Sequence, residues 1–155
     1  MTPAIKLAQK AKINYRVHQY QHDASAESYG TEAAEKLGIQ QEQVFKTLVV
    51  AIDSSTLVVA VIPVSAMLSM KQVAKACGGK KAAMAEQSQV ERSTGYVLGG
   101  VSPLGQKKRL KTLIDSSAQS HDTIFVSAGK RGLEIELTPA DLASLLSAKF
   151  EELQH

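Results

Sequence analysis

Apolar residues recur at helical spacing in some stretches of this chain and alternate or run continuously in others, and those changes of period mark out its elements. Thr2-Pro3 places a capping hydroxyl before a proline at the first helical position. Ile5, Leu7, Ala8 and Ala11 then predict a helix over residues 3–12. Asn14 to Tyr20 predicts a strand with Tyr15 and Val17 on one face and Arg16, His18 and Tyr20 on the other. A polar loop runs to Gly30, after which Thr31 is positioned to cap a helix, Glu32 to Leu37, that stops at Gly38. Two apolar runs, Lys46 to Ile52 and Thr56 to Ile62, predict a central hairpin across Asp53-Ser54-Ser55.

Ser69 with Gln72 is a capping box that opens a helix on Met70, Val73, Ala74 and Cys77, ending at Gly78-Gly79. A weaker helical stretch spans Gln87 to Arg92. The segment Gly95 to Gly105 is too rich in glycine and proline for a regular element and is the candidate functional loop. Thr123 to Ser127 and Leu133 to Leu137 predict a second hairpin across residues 128–132, and Thr138-Pro139-Ala140-Asp141 caps a last helix. This order predicts one domain over residues 1–155, of α+β or mixed α/β class. A central mixed or largely antiparallel sheet is flanked by helices and is not doubly wound.

At 155 residues and 44% hydrophobic, the chain is long enough to bury a substantial core. A lone cysteine, Cys77, excludes an internal disulfide, and no Cys/His cluster has zinc-ligand spacing. No apolar run reaches the length of a membrane span and Met1 to Lys10 lacks a signal-peptide core, so a soluble, cytoplasmic protein is expected. The net charge of +3 hides a strong asymmetry. From Lys71 to Lys111 there are nine basic residues (Lys71, Lys75, Lys80, Lys81, Arg92, Lys107, Lys108, Arg109 and Lys111) against Glu86 and Glu91, a local +7 that leaves −4 for the rest. Such a stripe fits a polyanion, whose counterions Lys and Arg displace, and it also fits an ordinary solvated face.

Gly100-Val101-Ser102-Pro103-Leu104-Gly105 fails as a nucleophile elbow, because the residue after the serine must donate an N–H and here it is proline. Read as a phosphate loop, the same stretch has its lysine displaced and lacks the Ser or Thr that holds magnesium. Small residues there still let a ligand approach backbone N–H groups. His18, Tyr20 and His22 alternate on one face without a third metal ligand, which reads as hydrogen-bonded surface histidines; Tyr20 is a candidate pocket wall. Lys46 shares a strand face with Leu48, Val50 and Ile52. It must either reach solvent or meet an anionic or carbonyl partner, such as a substrate phosphate or ester.

Several motifs, in order, resemble the YbaK/prolyl-tRNA-synthetase-associated editing-domain family, in its bacterial Cys-tRNA(Pro) deacylase branch. They are Met1-Thr2-Pro3-Ala4, His18 to Asp23, Phe45-Lys46-Thr47-Leu48, the long run Arg92 to Arg109, and Lys130-Arg131-Gly132-Leu133. The resemblance implies a freestanding editing factor that hydrolyses cysteine from mischarged proline tRNA, acting with prolyl-tRNA synthetase and needing neither metal nor other cofactor. No membrane or DNA partner is implied. By position, Lys46 would orient the terminal nucleotide, Gly99 and Gly100 would supply backbone donors, and Tyr20 and Tyr29 would wall the pocket. Thr47, Thr94 and Ser102 would be further substrate contacts. Lys71, Lys75, Lys80, Lys81, Lys107, Lys108 and Arg109 would track the acceptor end of the tRNA. The family's chemistry is one in which the cysteine thiol attacks its own ester carbonyl while the enzyme positions it.

The chain departs from the family pattern at four places. Tyr29 replaces a phenylalanine, Ala128 a common glycine and Glu134 a shorter residue, and the Asp53-Ser54-Ser55 turn is shorter than usual. Neither Ala128 nor Glu134 is assigned a role. Two other functions fit the same features: a deacylase for another small amino acid, as in Ala-tRNA(Pro), and a non-catalytic RNA- or nucleotide-binding module.

Overall fold

The computed structural model describes residues 1–25 and 28–155, including the backbone but not the side chain of Tyr29. Helix α1 (Pro3–Ala11) opens as the capping pattern predicts, with Thr2 Oγ1 accepting from the Ile5 N–H. Strand β1 (Tyr15–Gln19) follows. Helix α2 (Tyr29–Leu37) begins earlier than the spacing predicts. Ser28, not Thr31, is its cap, and the Ser28 hydroxyl accepts from the Thr31 N–H. Either residue can cap, and the earlier one adds a turn. Gly38, in the left-handed region, ends the helix as expected.

Strands β2 (Phe45–Ile52) and β3 (Thr56–Pro63) form the expected hairpin, pairing from Phe45 opposite Pro63 to Ile52 opposite Thr56. Helix α3 (Met70–Ala76) starts on the Ser69 cap. Short strand β4 (Ala82–Met84) pairs with β2 over Val50 to Ile52 only. Helix α4 (Gln87–Thr94) ends at Gly95, φ 81. Beyond the glycine-rich loop, strand β5 (Lys111–Asp115) runs parallel to β3. Strands β6 (Ile124–Lys130) and β7 (Leu133–Leu137) make the second hairpin, with a register shift between Ser127 and Lys130. Helix α5 (Pro139–Leu146) and strand β8 (Lys149–Glu151), parallel to β5, complete the fold.

Two sheets result: a mixed one in the order β4-β2-β3-β5-β8 and an antiparallel one in the order β1-β7-β6. The mixed sheet and its helices match the predicted class. Strands β4, β5 and β8 are additions the pattern did not announce. Each is at most five residues, too short for either period to show.

Both faces of the mixed sheet are covered, which explains why β2 and β3 read as nearly continuous apolar runs. Phe45, Val49, Val59 and Val61 pack toward Val126, Ile135 and Leu137 of the small sheet and Ala4 and Ala8 of α1. Val50, Val58, Ala60 and Ile62 pack on the other face with Val73 and Ala74 of α3. A third cluster, Ala33, Ala34, Val44 and Phe125, anchors α2 across the join between the sheets. There Val44 bridges to Phe125.

Candidate active site

Because β4 covers β2 only from Val50 onward, the edge of β2 from Phe45 to Leu48 has no strand partner on that side. An open edge presents backbone polar groups. It forms one wall of a cavity of about 360 Å³ at the join of the two sheets. Gly30 of α2, Val64, Leu98, Gly99 and Val101 of the glycine-rich loop, and Tyr20, Ser127, Arg131 and Glu134 supply the other walls.

Lys46 is half-buried here and forms no ion pair with any described carboxylate. Burial lowers its pKa from the ordinary lysine value. Next to it, the Thr47 hydroxyl is buried without a hydrogen-bond partner among the described residues. Tyr20 is held by its own N–H, which donates to the Gly132 carbonyl at 2.9 Å. Burial, reinforced by the neighbouring Glu134, pushes its phenol up. Glu134 is only 7% exposed, bonds to no described group, and is pushed up to about 8 by burial. Gly99, at φ 92, lines the cavity, and its N–H has no partner among the described residues.

The cavity thus collects Tyr20, Lys46, Thr47 and Gly99 from the residues singled out in the sequence. Gly100, Thr94 and Ser102 do not line it. The Gly100 N–H donates to the Val97 carbonyl at 3.0 Å, and a Cβ at Gly100 would meet the Lys130 backbone at 2.8 Å. Thr94 Oγ1 donates to the Val90 carbonyl and accepts from the Tyr96 N–H, and Ser102 Oγ accepts from the Leu104 N–H. These three groups hold the loop's shape. Tyr96 does the same from below, its hydroxyl donating to the Leu104 carbonyl at 2.6 Å. Tyr29 opens α2, and its side chain lies outside the described residues.

The seven basic residues proposed for nucleic acid are all exposed and fall into two groups. Lys71 and Lys75 lie on α3. Lys80 and Lys81 follow it, and their N–H groups donate to the Asp53 carboxylate at the turn of the central hairpin. Lys107, Lys108 and Arg109 lie beside α4 and α5: the Lys107 and Lys108 N–H groups donate to the carbonyls of Thr94 and Ser93, and Arg109 donates to the Ser147 hydroxyl.

Sequence reasoning passed over Arg131, Ser127 and Glu134 as site residues. For Arg131 a signal existed, since Lys130-Arg131 adds positive charge to the second hairpin turn. His18 bonds Glu136 at 2.8 Å and His22 bonds Glu32 at 2.7 Å. Among the described residues no three His, Cys, Asp or Glu side chains converge as metal ligands. No helix among them is long and apolar enough to cross a membrane.

The comparisons identify the class to which this α+β domain belongs: editing enzymes that act on aminoacyl-tRNA. The model of the aminoacyl-tRNA editing domain matches residues 24–145. The chain is 41% identical over 155 residues to a protein of Enterococcus faecalis named "Putative Cys-tRNA(Pro)/Cys-tRNA(Cys) deacylase EbsC", covering 98% of this chain and 92% of that one. It is 29% identical over 118 residues to the uncharacterized protein YwhH of Bacillus subtilis, 76% of this chain and 74% of that one. In fold it is similar to a crystal structure of "a putative trans-editing enzyme for prolyl tRNA synthetase", with a TM-score of 0.83 at 21% identity over 100% of this chain and 99% of that one. This chain belongs to the aminoacyl-tRNA editing domain family.

Proposed function

We propose that this protein removes cysteine from mischarged Cys-tRNA(Pro), acting in trans as a freestanding domain in the cytoplasm beside prolyl-tRNA synthetase. The observation that carries the reading is Lys46: a half-buried cation with no carboxylate partner among the described residues, on the open edge of β2, lining the cavity of about 360 Å³. A desolvated lysine is stabilised by an anion, and the terminal phosphate or the ester carbonyl is the anionic or polar group this substrate brings. The names of the relatives point to the same substrate class.

The chemistry needs few protein groups. The substrate thiol attacks the ester carbonyl carbon, the bond from that carbon to the ribose oxygen breaks, and a thiolactone leaves that water opens to free cysteine. No metal takes part in this scheme. The protein supplies orientation, through Lys46 and the wall formed by Tyr20 and Leu98. It supplies stabilisation of the developing oxyanion through the unengaged Gly99 N–H. The half-exposed loop-tip residues Val97 and Leu98, 65% and 45% exposed, offer apolar surface for the terminal base. Gly100, Thr94 and Ser102 act by keeping that loop in place. Lys71, Lys75, Lys80, Lys81, Lys107, Lys108 and Arg109 contact phosphates of the acceptor stem, which gives affinity without reading sequence.

The test is loss of amino acid from separately prepared Cys-tRNA(Pro), Cys-tRNA(Cys), Ala-tRNA(Pro) and Pro-tRNA(Pro). Turnover of the cysteine esters is expected, with Lys46→Ala lowering the rate about a hundredfold or more. Equal turnover of the alanine ester would move the specificity. Binding without turnover of any ester would leave a non-catalytic RNA-binding module.

A further inference from the structure

A buried carboxyl lies in the same pocket, and the scheme above gives it no task. Glu134 is the second residue of β7, opposite Ser127 of β6 and His18 of β1. It lines the cavity with 7% of its surface exposed, and neither carboxyl oxygen bonds to a described group. On α2, Gly30 lines the cavity and the Glu32 carboxylate is committed to His22 and the Asp23 N–H, while the loop brings only the uncharged Leu98, Gly99 and Val101. On the β1 side, His18 is committed to Glu136, and the Tyr20 phenol stays protonated. On β6 there is the neutral Ser127. Arg131, at the turn, hydrogen-bonds His22, and Lys46 stands across the pocket on β2 without pairing to Glu134. Among the described residues no cation pairs with the carboxyl, and desolvation keeps it in the acid form.

A neutral carboxyl differs from every other group in this pocket: it carries an O–H donor and a carbonyl acceptor side by side. The thiol-assisted reaction needs that combination. It must take a proton from the attacking sulfur and return one to the departing ribose oxygen. Lys46, as an ammonium, has no acceptor, the Gly99 N–H cannot release its proton, and the hydroxyls of Tyr20, Thr47 and Ser127 donate and accept on one oxygen where the relay uses two. We propose that Glu134 is the proton relay of the reaction, donating its O–H proton to the leaving ribose oxygen while its other oxygen receives the proton of the attacking thiol. The S–C bond forms, the C–O bond to ribose breaks, and Glu134 ends as it began, protonated on the opposite oxygen. The inference rests on the deacylase reading and adds to it the group that moves the proton.

The test compares wild type and Glu134→Gln on Cys-tRNA(Pro) across pH. Glutamine keeps the size, an N–H donor group and a carbonyl acceptor, but it cannot pass a proton. The expected result is a kcat lowered about a hundredfold with KM within about twofold of wild type. The advantage of wild type over the variant should shrink as pH rises through about 8, where Glu134 ionises. A variant with wild-type kcat overturns the relay while leaving the deacylase reading intact; inactivity of wild type on every ester overturns the reading itself. A raised KM at unchanged kcat makes Glu134 a binding group and also overturns the relay, as does an advantage that does not change with pH. Should the glutamine variant fail to fold, wild type alone decides. Its kcat must fall above about pH 8 while uncatalysed ester loss climbs, and a kcat that climbs with it overturns the relay.

Discussion

The Thr47 hydroxyl is buried in the pocket wall with no partner among the described residues, an arrangement that costs a fold roughly 1 to 3 kcal/mol. Thr47→Val keeps the shape and removes the unsatisfied group. It should raise stability by about 1 kcal/mol in thermal or urea unfolding while slowing deacylation, if that hydroxyl is kept for the substrate. An unchanged midpoint would show that the hydroxyl finds water. Glu134 makes a second prediction, whose sign follows from where its proton sits. The folded protein holds that proton up to about 8, whereas an unfolded chain releases it near 4.5. The native state therefore binds the extra proton between those values. Stability falls as pH rises through that window and stays at the lower level above it. Glu134→Gln should flatten this slope and stabilise the fold at pH 8 by roughly 1 to 3 kcal/mol, read from unfolding curves at pH 5 and pH 8. Lys46 was legible in the sequence because a charge interrupts an apolar run. Glu134 was not, because Leu133-Glu134-Ile135-Glu136-Leu137 reads as a strand with an apolar face inward and an acidic face in water. On that acidic face Glu136 does reach partners, His18 and Thr123, while α2, the loop and β2 close over Glu134. Only tertiary packing separates the two glutamates.

Strand β5 carries the tie that fastens the C-terminal segment. The buried Asp115 carboxylate accepts from the Ser117 N–H and hydroxyl, the Leu153 N–H at 2.9 Å and the Gln154 side chain at 2.9 Å. Burial pushes its pKa up, but those donors outweigh it and hold the carboxyl below the ordinary aspartate value. The stability it contributes is present above the ordinary value of 3.8 and is lost as pH falls through the lower folded value. Asp115→Ala should cost about 3 kcal/mol and release β8 first, seen as early hydrogen exchange at residues 149–154. Loss of protection spread evenly over the chain would contradict this. Neither β5 nor β8 could be read from the sequence. Lys111-Thr112-Leu113-Ile114-Asp115 is too short to show a period, and its place in the sheet comes from parallel pairing with β3 across a long separation. The glycine-rich loop shows the opposite balance. Its irregularity was plain from composition, but which of its N–H groups remain unbonded depends on contacts such as Gly100 with Val97 that composition does not encode.

For the whole molecule, the class of fold was legible because the central hairpin, the second hairpin and the capped helices all carry their own local signals. The division into two sheets, and hence the cavity at their join, was not, because it depends on which strand edges stay open. The distribution of charge makes a prediction of its own. Substituting Lys80 and Lys81 together with alanine should weaken binding of full-length tRNA and lower the slope of log affinity against log salt by about 1 to 2. It should leave cleavage of a substrate cut down to aminoacyl-adenosine unchanged. A loss of activity on that short substrate would place these lysines at the pocket instead. Six residues of extended strand lie between Lys46 and Asp53, whose carboxylate fixes the Lys80 and Lys81 backbone, and the seven steps span about 23 Å. With both faces of that strand packed, the span is rigid, and β2 serves as a ruler. If the proposed substrate is held by its end at Lys46, its ribose-phosphate chain would meet Lys80 and Lys81 only where an intact duplex stem continues far enough beyond the pocket. The protein would then measure the length of its substrate's stem while remaining indifferent to which base pairs compose it.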